Sequence, residues 1–169
     1  AEEEDEGTAD LLLTLPISRT RIMLAKISAT ITVVIALGFL AMLNIIVLRG
    51  IVDMKIDEGK LVAATTSSIS LGIFFTGIAF LVGAFSRKKG SAIGVVTGLS
   101  LIAFLIYSLS ALVDSFDAIE PFNPMEWGLA GQPLFNGLDE VGVIKLLAGG
   151  LVLLALAIIK FDKKDISTP

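Results

Sequence analysis

The sequence contains no cysteine and no histidine. Their absence excludes disulfides, thiolate nucleophiles, histidine metal ligands and histidine general bases. Aromatics are few, with one tryptophan, one tyrosine and ten phenylalanines. Charged residues make up only 18%, while 54% of the 169 residues are hydrophobic and the mean hydropathy is +0.87. Soluble domains reach about 45–50% apolar only with glycine counted, so the excess points to a membrane protein. No Gly-x-x-x-x-Gly-Lys-Ser/Thr loop is present, because Gly59-Lys60 lacks both the upstream glycine and the following hydroxyl. A Gly-x-Ser-x-Gly elbow is also missing. No charge lies deep in any apolar run, which argues against a relay of buried carboxylates.

Four apolar runs remain. Residues 27–48, 61–86 and 90–113 carry no charge over 22, 26 and 24 residues, and 141–159 carries only Lys145. At about 1.5 Å per residue, each is near or above the length that crosses a hydrocarbon core of about 30 Å. With their flanks, the spans are placed at 22–48, 61–86, 90–113 and 141–159. The fold class is therefore an all-α membrane protein, read as a single transmembrane domain over 1–169. Asn44 is a candidate for a hydrogen bond across helices, or for a substrate contact. Lys145, one turn inside its run, is expected to reach the interface or to pair with Glu140; an anionic-substrate contact is the other option.

Small residues recur every four positions at Ser68, Gly72 and Thr76, then at Ala79 and Gly83, and again at Gly90, Gly94 and Gly98. That spacing permits close helix packing in lipid. Gly72, Gly83, Gly90, Gly94 and Gly98 are the expected packing positions, serving either a static contact or one that slides. Gly149 and Gly150 offer a further close approach or a weak hinge.

Residues 114–140 hold six acids, no lysine or arginine, and Pro121, Pro124 and Pro133. The prolines exclude one long helix, and Phe122, Trp127, Leu134 and Phe135 argue against a fully hydrated loop. Short interfacial or re-entrant helices are expected, with Trp127 in the aromatic belt.

Lysines and arginines divide nine to four between alternate sides of the four spans. The nine (Arg19, Arg21, Lys26, Arg87, Lys88, Lys89, Lys160, Lys163, Lys164) mark the cytoplasmic side by the positive-inside rule. The N-terminal segment 1–21 and the tail 160–169 are then cytoplasmic, and 114–140 is extracytoplasmic.

The segment before the first span has its own grammar. Residues 1–6 are an acidic run. Thr8 is a good N-cap, Asp10 falls in a first turn where the helix dipole favours negative charge, and Pro16 stops the helix near Leu15. A helix of about two turns over 9–15 results, with Leu11, Leu12 and Leu15 on one face and Leu13 on the other. Ser18 is placed to cap the next helix. So short a helix needs docking partners to persist; a surface helix at the membrane interface is the plainer alternative.

The order Glu6-Gly7-Thr8, Asp10-Leu11-Leu12-Leu13, Pro16-Ile17-Ser18-Arg19 and Lys26 resembles the coupling-helix signature of type-2 ABC exporter permeases. The resemblance implies a permease subunit whose Glu6, Gly7, Thr8, Asp10, Leu11, Leu12, Leu13, Leu15, Pro16, Ser18 and Arg19 meet a separate ATP-binding subunit. It implies six spans, so two more are expected N-terminal to these four. A second permease copy or a relative would complete the pathway in the plasma membrane. The chain itself would be no enzyme and hold no cofactor, with ATP bound by the partner; nucleic acid is not an expected partner. A non-transporting membrane scaffold explains the packing motifs and topology equally well, but not the order of the opening segment. An intramembrane enzyme is the third reading, and it lacks the residues such chemistry uses.

Overall fold

The computed structural model describes residues 18–52, 55–86, 89–110, 112, 116 and 118–162. Ser18 starts the first helix: its Oγ accepts from the Arg21 amide at 3.4 Å, and its carbonyl takes the Arg21 and Ile22 amides. The helix α1 then runs from Arg19 to Val52, 34 residues. Asp57 caps α2 (Glu58–Phe85), with its Oδ1 accepting from the Lys60 amide at 3.1 Å. The helix α3 spans Lys89–Ser110. After it come a 3₁₀ turn at Glu120–Phe122 and two short helices, α4 (Pro124–Leu129) and α5 (Pro133–Asn136). Proline opens both short helices, where its fixed φ suits the first turn and no amide is missed. Asp139 caps the last helix, α6 (Glu140–Asp162), accepting from the amides of Val141 and Gly142 at 3.1 Å each.

Among the described residues no strand occurs, and four helices are long and apolar enough to cross a membrane. All four begin before the apolar windows that predict them, and α1 and α6 also end beyond theirs. A window stops at the first charge, whereas a helix stops where its ends are capped. Arg49 and Gly50 thus lie inside α1. Arg49 folds back to donate to the Ile56 carbonyl and to ion-pair with Glu58 at 2.6 Å, closing the turn into α2. At its far end α3 is shorter than its window, ending at Ser110 rather than 113, with the Ser110 hydroxyl bonded back to the Tyr107 carbonyl.

The closest helix pair is α2 with α6, and it is built on glycine. A Cβ on Gly77 would stand 2.9 Å from the Gly150 carbonyl oxygen, and one on Gly150 would stand 3.2 Å from Phe74 Cα. The backbones touch because neither side chain intervenes. The helix α1 crosses α2 by a reciprocal fit: Ile69 of α2 fills the space at Gly38, and Val34 of α1 lies against Gly72. By contrast, the most apolar stretches of α1 and α3 are 0% buried, against 33% for α6 and 22% for α2. Five hydroxyls in α2 are satisfied within their own helix; Thr65, Thr66, Ser68, Ser70 and Thr76 each donate to the carbonyl four residues back at 2.8–2.9 Å. Asn44, expected to bridge helices, does the same and donates to the Leu40 carbonyl at 2.9 Å. Local bonding spares an exposed amide the search for a partner in lipid.

Candidate functional site

Residues 6–16 of the expected partner-docking segment lie outside the described residues, as does most of the basic turn at 87–89. The described chain begins at the junction with α1, where Ser18 caps the helix and Arg19 opens it. The buried core starts on the second turn beyond this junction. Met23 and Ile27, on the second and third turns of α1, pack with Leu154 and Ala157 on the last turns of α6, with Phe80 and Leu81 of α2 alongside. Thr20 Oγ1 donates to Asp162 Oδ1 at 3.1 Å, tying the start of α1 to the end of α6. Lys160 Nζ lies 4.8 Å from the centre of the Phe85 ring, joining the last turns of α6 and α2. One end of the bundle is thus a three-helix knot beginning just after Pro16-Ile17-Ser18.

The opposite end carries a cap. Asn123, buried, accepts from the Met125 amide through Oδ1 and donates through Nδ2 to the Ala103 carbonyl of α3 at 2.9 Å. One side chain so caps α4 and fastens it to α3. Trp127 Nε1 donates to the Pro121 carbonyl at 2.8 Å, and its ring stands edge-on to Phe74 of α2 at 5.8 Å. Lys145 Nζ sits 6.0 Å from the same ring, so this lysine faces an aromatic rather than Glu140. Beneath, Gly142 of α6 lies against the Trp127 carbonyl oxygen, leaving no room for any side chain. Burial, then the neighbouring Glu120 charge and a hydrogen bond with it, push the Glu126 carboxyl above its usual range.

The predicted packing glycines divide. Gly72 meets α1, with Val34 Cγ1 2.8 Å from where its Cβ would be. At Gly83, Gly90, Gly94 and Gly98 nothing lies within 4 Å among the described residues, so the α3 ridge faces outward from the bundle. An apolar groove of about 270 Å3 opens between α2 and α3, bounded by Phe75, Ile78, Leu99, Ile102 and Ile106 and roofed by Phe122 and Pro124. Gly77, Gly142 and Asn123 were not singled out by sequence reasoning. Gly142 and Gly149 are seven apart, two helical turns, and that spacing is the signal that marks the packed face of α6.

The model of the ABC-2 family of transporter proteins matches residues 1–166. A curated relative, the "Probable ABC transporter permease protein NosY" of Pseudomonas aeruginosa, is 30% identical over 161 residues, which is 90% of this chain and 58% of the relative. The chain thus spans a little over half the length of the curated relative it matches. No solved structure matches it. With four apolar helices of spanning length and a family model that covers nearly every residue, this multi-pass membrane chain belongs to the ABC-2 family of transporter proteins.

Proposed function

We propose that the chain is the membrane-spanning part of an ABC exporter permease that forms the substrate pathway, is driven by a separate ATP-binding subunit, and works beside a second copy or a relative. It holds no cofactor of its own, and ATP binds the partner. The short helix at 9–15 docks on that partner in the cytoplasm, and the cap at 120–139 lies on the outer side, as the nine-to-four division of cations favours.

The observation that carries this proposal is the knot at the Thr20–Asp162 end. A push delivered ahead of Ser18 enters α1 at its first turn. One and two turns further on, Met23 and Ile27 are already packed on Leu154, Ala157 and Phe80. Three spans therefore receive the motion together, within two turns of the segment that resembles a coupling helix. Tight packing makes such a core shift as a unit rather than absorb the displacement.

Leu13→Asp puts a charge on one face of the short helix and leaves every described contact untouched. In the complete protein it is expected to lower both the recovery of the co-purifying ATPase and ATP-driven transport, with normal membrane insertion. Full transport by this variant would refute the coupling role, and failure of any Walker-motif ATPase to co-purify with the wild type would favour the scaffold reading.

A further inference from the structure

The turn between α1 and α2 and the short helix α5 enclose a second cavity, of about 310 Å3, lined by Lys55, Ile56, Asp57, Lys60, Leu134 and Phe135. Its charges are out of balance. Asp57 is turned toward the first amides of α2, accepting from the Lys60 amide at 3.1 Å, and Glu58 is held by Arg49 at 2.6 Å. Among the described residues neither the Lys55 nor the Lys60 ammonium has an ion-pair or hydrogen-bond partner, although Lys60 is half-buried. A charge drawn partly out of water without a counter-charge is costly, so this arrangement favours an anion.

The wall across the cavity has the opposite character. Leu134 is 42% and Phe135 71% exposed, with no protein covering these faces among the described residues. Position along the bundle joins the two. The cavity lies where α1 ends at Val52, α2 begins at Glu58 and α6 begins at Glu140. That is the level at which apolar spans give way to polar chain, the headgroup depth of a bilayer.

We infer that this cavity binds an anionic phospholipid, with its phosphate between the Lys55 and Lys60 ammoniums and its first methylenes on Leu134 and Phe135. Among the described lining residues, two lysines stand against the single carboxylate of Asp57, a net positive rim. That rim selects a headgroup of net negative charge over a zwitterionic one. The apolar wall selects an amphiphile over free phosphate, and the bilayer supplies that amphiphile at the correct depth. The bound lipid would join the α1–α2 turn to α5. The inference needs only the membrane-spanning fold and stands apart from the transport proposal.

The complete protein, delipidated in detergent, would be titrated with phosphatidylglycerol or phosphatidylcholine and its retained lipid counted by native mass spectrometry. Phosphatidylglycerol is expected to be retained preferentially. The Lys55→Gln/Lys60→Gln pair is expected to reduce its retention on the order of tenfold or more, two basic residues each contributing at the level usual for an anionic membrane surface. Lys55→Arg/Lys60→Arg should keep the lipid, and Lys160→Gln at the opposite end should leave it unchanged. Phe135→Ser should weaken retention of phosphatidylglycerol. If the double glutamine variant does not fold, Lys60→Gln alone decides by the same measurement. Unchanged phosphatidylglycerol retention in the glutamine variants would overturn the inference. So would equal retention of the two lipids, or full displacement by millimolar inorganic phosphate, which would mark a site for free anions.

Discussion

Single glycines set the tolerances of this bundle. At Gly77 any side chain meets the Gly150 carbonyl at 2.9 Å and Leu153 Cβ at 3.0 Å. Both neighbours are backbone or the root of a side chain, so relief requires moving a helix. Gly77→Val is therefore expected to destabilise the bundle by about 1–3 kcal/mol, the usual cost of overpacking. The check is thermal unfolding in mild detergent. Gly83→Ala, at a position open on every described side, is expected to stay within about 0.5 kcal/mol in the same assay.

Glu126 makes a pH prediction at the same scale. Its folded pKa is raised by burial first and by Glu120 second. A carboxyl raised on folding costs nothing while protonated in both states. Its penalty appears as pH climbs from the unfolded carboxylate range through the raised folded value. The cap is thus expected to hold more firmly at the acid side of that window and to loosen above it. Hydrogen exchange of the 120–129 amides across that window measures this; Glu126→Gln is expected to flatten the dependence, and an unchanged profile would assign it to other groups.

At the level of elements, the spans and the segment beyond α3 differ in how far the sequence reveals them. Apolar runs locate α1, α2, α3 and α6, because a membrane imposes its thickness directly on composition. The short helices α4 and α5 are signalled by Pro124 and Pro133, whose place in a first turn is a local preference. Where these helices sit is not local information. The seat of Trp127 depends on Gly142 of α6 and Phe74 of α2, residues 15 positions ahead and 53 behind in the chain. The fastening by Asn123 depends on the Ala103 carbonyl, 20 residues away. No periodicity encodes such pairings. They also explain why the glycine ridge of α3 could be read from spacing while its outward facing could not: spacing shows that a face is smooth, not what lies on it. Asn123→Ala removes both the α4 cap and the tie to α3, and leaves the Ala103 carbonyl without that donor. Trp127, the single tryptophan of the chain, is then expected to show red-shifted emission and easier quenching by a water-soluble quencher. Unaltered fluorescence would mean that Pro121 and Phe74 suffice to hold it.

For the molecule as a whole, the sequence lacks cysteine, so a single introduced thiol reports sidedness without background. Leu138→Cys, close to the cap and 44% exposed, is expected to react with a membrane-impermeant maleimide applied to intact cells. Ser167→Cys in the tail is expected to react only after permeabilisation. The reverse pattern would invert the proposed topology and with it the cytoplasmic docking of the 9–15 helix. The same whole-molecule view separates what the sequence could and could not reveal about function. The order of residues in the opening segment indicates the family, whereas the knot of Met23, Ile27, Leu154 and Ala157, which would carry a push into the bundle, is visible only once α1 and α6 are side by side.

The lengths of the spans have one more consequence. At about 1.5 Å per residue, α1 is about 51 Å long and α3 about 33 Å. A bilayer core of about 30 Å suits α3 nearly upright, while α1 must lean or project. Packed on α6 near Thr20 and joined to α2 at its other end by Arg49, α1 takes up a change of tilt together with the turn into α2. Thickening the bilayer would draw that end upright, and thinning it would lay it over, so membrane thickness itself becomes a variable that sets the inclination of α1 against the α2–α6 pair.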